Sequence, residues 1–274
     1  MILIVGGTSS LGSLLVKALV ERGRAVRVLT RSPERVDALR SVGVEVVIGD
    51  ARSQQTLRTA VAGCTTVVSA MHGFLGGRGR GPEAIDRDAN VALIRASVEA
   101  GVERFILLSA YGAAPRHPMS LQRMKFAAEQ ALINSELGWT IVRPMPFLET
   151  WRRLMGEHIA DRHTVLVLGR GTNPIAFVSV DTVCRVVEQL ILHDSQRNEI
   201  VDVVGTTTVT FNQIADELAT DAGFPVAVRR IPMTALRVVS VLAKPVSPAF
   251  ARGARAAVVM NSTDMTATAS LNVL

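Results

Sequence analysis

Apolar residues along the chain follow two rhythms. The unbroken apolar run Ile2–Val5 and the mainly apolar stretches 25–30, 44–48, 65–70 and Arg104–Leu108 read as strands. Between them, apolar positions recur every three or four residues. Leu11, Leu14, Leu15, Ala18 and Leu19 mark a first helix, and 33–40, 54–62, 83–100 and 121–137 continue the series before a strand at 140–142. Strands alternating with helices at this spacing require a parallel sheet with right-handed crossovers. The predicted fold class is α/β, a doubly wound parallel sheet with a smaller C-terminal α+β cap.

Past Arg143 and Pro144 the rhythm changes. Residues 151–160 predict a helix, Thr164–Leu168 an extended segment and 175–180 a strand. Asp181 or a neighbour is expected to cap a helix over 183–192, followed by a strand at 200–204 and a helix at 210–220. From Pro225 onward one strand and two apolar helices are expected. Residues 1–145 thus form the sheet domain. Residues 146–274 are mainly a cap over the sheet's carboxyl edge, with part of 175–204 returning to the sheet. Open parallel sheets bind ligands in a crevice at that edge.

Composition narrows the class. Of 274 residues, 48% are apolar and 20% charged, so the chain is globular and not disordered. The formal charge of +6 includes no block of like charges, and aromatics are scarce, which argues against a nucleic-acid surface. Cys64 and Cys184 have no metal-ligand spacing, so no metal is expected, and both read as buried thiols in a reducing compartment. The opening strand has no basic leader, and the apolar stretch 235–243 is interrupted by Arg237 and too short to span a bilayer. A cytoplasmic monomer or homodimer acting on a small molecule is the expectation.

The candidate chemistry lies first in the turn after Ile2–Val5, which reads Gly6-Gly7-Thr8-Ser9-Ser10-Leu11-Gly12. A strand, a glycine turn and a helix bring a pyrophosphate onto the unpaired N–H groups of a helix N-terminus. Gly6 would make the turn and Gly12 would let helix and strand approach, whereas Ser9 stands where a third glycine is usual. At the end of the second strand an NAD site commonly keeps a carboxylate for the ribose 2′-OH. Here Thr30-Arg31-Ser32 carries none. Arg31, with Ser32 and Arg35 as further donors, suits a 2′-phosphate instead, so NADP(H) is expected over NAD(H). The alternative for Arg31 and Arg35 is a solvated loop. Asp50 and Ala51 end the third strand, where Asp50 either meets an adenine edge or caps the next helix.

These residues resemble the G-x-T-G-x-x-G turn of atypical short-chain dehydrogenases. So do Thr30-Arg31-Ser32-Pro33-Glu34-Arg35, Gly49-Asp50, Trp139 through Pro144 and Ile175 through Asp181. Together they resemble the NmrA-like branch, which includes NADPH-dependent quinone reductases and isoflavone-reductase-type enzymes, over about residues 1–220. The resemblance implies a Rossmann fold with Gly6, Thr8, Ser10, Leu11 and Gly12 lining the pyrophosphate. It also implies Arg31 at the adenosine phosphate, Asp50 and Ala51 at adenine, and Ser69, Ala70 and Met71 near the nicotinamide ribose. Lys125 sits where the lysine of the short-chain Tyr-x-x-x-Lys pair would be, but Leu121 occupies the tyrosine position. Lys125 would then orient the ribose and assist protonation. Ser109 and Tyr111, the only tyrosine, follow the fifth strand as further candidate proton donors, with turn packing the alternative for Tyr111. Met145, Phe147 and Trp151 are candidates for an apolar substrate wall. The expected activity is hydride transfer from NADPH to a quinone, enone or similar small carbonyl compound. A non-catalytic NADP(H)-binding sensor or regulator is the alternative, and a nucleotide-sugar epimerase a more distant one.

Overall fold

The computed structural model describes residues 1–193 and 197–266. Seven strands form one parallel sheet: β1 (Ile2–Val5), β2 (Val26–Thr30), β3 (Glu45–Ile48), β4 (Thr66–Ser69), β5 (Arg104–Leu108), β6 (Gly138–Pro144) and β8 (Glu199–Val203). Their spatial order is β3-β2-β1-β4-β5-β6-β8, so the chain reverses direction across the sheet between β1 and β4. That reversal leaves a crevice at the carboxyl ends of these two strands, the usual ligand position in such sheets.

The mainly apolar stretches of the central strands are explained by burial on both faces. Ile2 and Ile4 of β1 and Ile106 and Leu108 of β5 point into one core, packed with Leu15 and Leu19 of α1 (Ser10–Glu21) and Val183 and Val187 of α8 (Val180–His193). Their neighbours Leu3, Val5, Phe105 and Leu107 enter the opposite core. There they meet Leu57 of α3 (Gln54–Val61), Leu93 of α4 (Asn90–Glu99) and Leu132 of α5 (Ser120–Ile133). Alternation of side chains along each strand makes this division obligatory.

A third core belongs to the region after Pro144. It is built by α6 (Leu148–Gly156), the parallel pair β7 (Thr164–Leu168) and β9 (Ala227–Ile231), α9 (Phe211–Asp221), α10 (Met233–Leu242) and α11 (Pro248–Met260). Trp151 and Phe211 meet at its centre, ring centroids 5.2 Å apart. A four-residue helix, α7 (Ile159–Arg162), replaces the end of the single helix expected over 151–160. No described helix is long and apolar enough to cross a membrane.

Three expectations are corrected. Residues 175–180 do not form a strand. Ile175 bridges singly to Val209 and Met265, Val178 bridges to Phe147, and Val180 already begins α8. The run is apolar because it connects two cores, with Ile175 and Phe177 buried in the cap and Ala176 and Val178 in the sheet layer. Asp181 does not cap α8, because Ser179 Oγ accepts the Thr182 N–H at 3.0 Å while Asp181 pairs one turn on with Arg185. The helix expected over 83–100 also begins differently, as a π-helical turn at Glu83–Ala89 before α4.

Candidate functional site

The β1–α1 corner shows why glycine is needed at two positions. Gly6 has φ +93°, and a Cβ there would lie 2.8 Å from the Ala70 carbonyl oxygen. A Cβ on Gly12 would lie 2.2 Å from the Gly6 carbonyl oxygen. Helix and strand therefore approach to a distance that no side chain permits. Ser9, at the position where a glycine is usual, has become the N-cap of α1: its Oγ accepts the Gly12 N–H at 3.0 Å. The first-turn N–H groups of Ser10 and Leu11 have no acceptor among the described residues. With the helix dipole behind them they form an anion-binding end.

This corner opens into a crevice of about 470 Å³, within the usual range for small-molecule sites. Of the residues singled out from sequence, Gly6, Thr8, Ser9, Arg31, Asp50, Ala51, Ala70 and Met71 line it. Ser10, Leu11, Gly12, Ser32, Arg35 and Ser69 do not line it. Arg35 reaches the turn from the second layer, donating to the Thr8 carbonyl at 2.7 Å. Asp50 is held by Arg52 through both carboxylate oxygens, at 3.0 and 2.7 Å, and this pairing lowers its pKa to about 2. Its charge is thereby matched. Arg31 and Arg80 both line the crevice and have no hydrogen-bond or ion-pair partner among the described residues, although the charge of Arg31 also helps lower the Asp50 pKa. An anionic ligand would meet two guanidinium groups there with no hydrogen-bond partner of their own.

Arg80 belongs to the part of the wall that sequence reasoning left unassigned. Leu75, Gly76, Gly77 and Arg80 come from the glycine-rich loop after β4, which folds back over the crevice. Arg252 of α11 fastens this loop by donating to the carbonyls of Phe74, at 2.7 Å, and Gly76. Arg52 holds its far side through the Gly79 carbonyl at 2.9 Å. The available signal was a run of five glycines and two arginines without a carboxylate, directly at a strand's carboxyl end.

The candidate proton donors lie deeper. Lys125 is buried, and its ammonium donates to the carbonyls of Met71 and Leu108 at 2.8 and 2.7 Å and pairs with Asp86 at 3.0 Å. Asp86 sits in the π-helical turn and also accepts the Gly73 N–H at 2.8 Å. Asn90 explains that turn: its Nδ2 donates to the carbonyls of Ile85 and Asp86, both at 3.1 Å, and its Oδ1 accepts from Ser69 Oγ at 2.6 Å. Ser109 is buried, with its hydroxyl donating to Glu129 Oε1. Glu129 in turn receives a two-pronged contact from Arg143, at 2.9 and 2.6 Å, which raises the guanidinium's pKa. Tyr111 is half-buried against the sheet core, and its N–H donates to the Pro144 carbonyl. His117 accepts the Met119 N–H through Nδ1, and burial lowers its pKa. Met145 and Trp151 are almost fully buried, the first in the sheet core and the second in the cap core, with Phe147 half-buried beside the former. None of the three lines the crevice.

Comparison with known proteins agrees with this geometry. A family profile described as NAD(P)H-binding matches residues 6–189. The NAD(P)H azoreductase of Xenophilus azovorans is 27% identical over 226 residues, 82% of this chain and 75% of that protein. The photosystem II assembly factor Ycf39 of Synechocystis is 26% identical over 244 residues, covering 86% and 72% respectively. Among solved structures, the Escherichia coli NADPH-dependent quinone oxidoreductase QOR2 in complex with NADPH superposes with a TM-score of 0.76 at 20% identity, over 97% of this chain and 92% of that one. With the strand–glycine turn–helix corner, the parallel sheet that reverses beside it and a family match over two thirds of its length, the chain belongs to the NAD(P)H-binding family of Rossmann proteins, in keeping with the NmrA-like resemblance of its motifs.

Proposed function

We propose that the protein is an NADPH-dependent reductase of electron-poor acceptors such as quinones, enones or azo compounds. The observation that carries this reading is the pair of guanidinium groups without hydrogen-bond partners, Arg31 and Arg80, at a crevice whose β2 end has no carboxylate. In this reading Ser10 and Leu11 offer their N–H groups to the pyrophosphate while Gly6, Thr8 and Gly12 shape the turn. Arg31 takes the 2′-phosphate, with Ser32 and Arg35 beside it. Asp50 and Ala51 border the adenine, and Ser69, Ala70 and Met71 support the nicotinamide ribose. Lys125 is a positioning residue: it fixes the Met71 and Leu108 carbonyls and so the floor on which the ribose rests.

The bound cofactor supplies the hydride. In this reading neither Ser109 nor Lys125 is the proton donor, since the Ser109 hydroxyl donates to Glu129 and Lys125 is held by the Met71 and Leu108 carbonyls and by Asp86. The acceptor class follows from that. A quinone that gains a hydride becomes a hydroquinone anion, which water protonates without help from a side chain. An unactivated ketone has no such route. Reductases named for azo and quinone substrates among the similar proteins support the same class.

The same committed donors, with Leu121 in place of a tyrosine, favour a second reading as a non-catalytic NADP(H)-binding regulator. The likeness to assembly factors supports it. Calorimetric titration with NADPH and NADH, beside NADPH oxidation against quinones, azo dyes and simple ketones, tests both. Turnover of quinones but not simple ketones is the expected result. Tight NADPH binding without turnover of any acceptor selects the regulator, and absence of nucleotide binding refutes both.

A further inference from the structure

The cap presents an inverted surface. On α10, Leu236 and Ser240 face inward, while Val238, Val241 and Leu242 are 54, 60 and 70% exposed. The turn after it adds Val246 at 87%, and the start of α11 adds Phe250 at 59%. Scattered exposed apolar residues are ordinary, but five large ones within thirteen positions of one helical hairpin are not.

Charge identifies what would cover them. Residues 222–263 contain Arg229, Arg230, Arg237, Lys244, Arg252 and Arg255 and no carboxylate at all. The chain holds 30 lysines and arginines and 24 acids, so outside this segment the two signs balance and the whole formal excess of +6 resides here. Arg237, Val241 and Lys244 follow one another at helical spacing, and all are exposed. Arg78 of the glycine-rich loop joins them by donating to the Pro245 carbonyl at the hairpin turn. An exposed apolar tip flanked by the exposed Arg237, Lys244 and Arg255, in a segment that itself carries no carboxylate, is the pattern of an element that lies in the interface of an anionic bilayer, its apolar side chains among the acyl chains and its cations at the headgroups. A helix of ten residues cannot span the hydrocarbon core, so the contact would be superficial.

We propose that the α10–α11 hairpin docks the protein on anionic lipid membranes. The proposal does not depend on the reductase reading. It has a consequence for the crevice, because the loop carrying Gly76, Gly77 and Arg80 is tied to this hairpin through Arg78 and Arg252.

The test is co-sedimentation of the full chain with vesicles of pure phosphatidylcholine and of phosphatidylcholine mixed with phosphatidylglycerol. Partition to the anionic vesicles should be at least about tenfold stronger, and ~0.5 M NaCl should remove most of that difference. The double substitution Val241→Ser with Leu242→Ser changes only exposed side chains, so its thermal melt should match wild type while vesicle binding falls about tenfold. Lys244→Glu should weaken binding to the anionic vesicles alone. Equal partition to both vesicle types, no partition, or unaltered binding by the serine variant would overturn the proposal. So would sedimentation analysis showing a wild-type dimer that the serine variant makes monomeric, without vesicle binding, since a second copy would then cover the face.

Discussion

The ammonium of Lys125 and the carboxylate of Asp86 lie 3.0 Å apart with their side chains 3% and 0% exposed. The pair joins three segments that frame the crevice. Lys125 holds the ends of β4 and β5 through the carbonyls of Met71 and Leu108, and Asp86 holds the start of the glycine-rich loop through the Gly73 N–H. A buried lysine bound to two carbonyls and paired with one carboxylate in this way fixes backbone.

Truncating one member of such a pair leaves the other charge buried and alone, at a cost of about 3–5 kcal/mol. Lys125→Ala should therefore lower the urea midpoint severely. The double variant Lys125→Met with Asp86→Leu, which removes both charges while keeping apolar volume, should recover much of the loss. A single variant as stable as wild type would show that the ion pair is not what holds the floor.

Arg31→Ala should weaken NADPH binding by roughly tenfold to a hundredfold, the value of a lost charge-assisted contact to phosphate. NADH affinity should change little, since it has no phosphate at that ribose. Calorimetric titration with both nucleotides gives the comparison, and equal losses would remove Arg31 from the phosphate.

Gly12→Ala places a methyl 2.2 Å from the Gly6 carbonyl oxygen, where only backbone can give way. The β1–α1 corner would have to open, so nucleotide binding should be lost and the melting temperature should fall by several degrees. Fluorescence titration with NADPH beside a thermal melt is sufficient. Retained affinity would mean that the turn carries no ligand.

Acid should reveal the Asp50–Arg52 pair. Arg52 lowers the Asp50 pKa from 3.8 to about 2, so the unfolded chain takes up a proton there before the folded chain does. The pair's contribution is complete above pH 3.8 and is lost as pH falls through 2. Because the pair is partly exposed, the effect is small. Asp50→Asn should flatten the dependence of denaturant midpoint on pH over that interval and leave stability at neutral pH close to wild type. An unchanged acid slope would separate Arg52 from Asp50.

The division between what was legible and what was not follows the range of the interactions. The strands β1, β2, β4 and β5 were plain because burial on both faces makes most of four or five adjacent residues apolar. The glycine turn was plain because close approach requires residues without a Cβ at fixed spacing. Residues 175–178 carried the same apolar signal for a different reason, since each side chain serves one of two cores, and no local pattern distinguishes that from a strand. Lys125 and Ser109 were recognisable by position, but their commitment to Asp86 and Glu129 was not.

By itself the sequence determined the alternating βα order, the nucleotide-binding corner and the absence of a carboxylate after β2, because each is set by neighbours within a few residues. Tertiary structure alone decided that Ser9 caps α1 in place of the missing glycine, and that the glycine-rich loop becomes a crevice wall clamped by Arg252. It also decided that Val238, Val241, Leu242, Val246 and Phe250 stay exposed within the segment where the excess positive charge lies. Hydrogen bonds such as that from Arg252 to Phe74 join residues 178 positions apart. Their partners are chosen by which surfaces the packed sheet brings together, and periodicity along the chain holds no record of that choice.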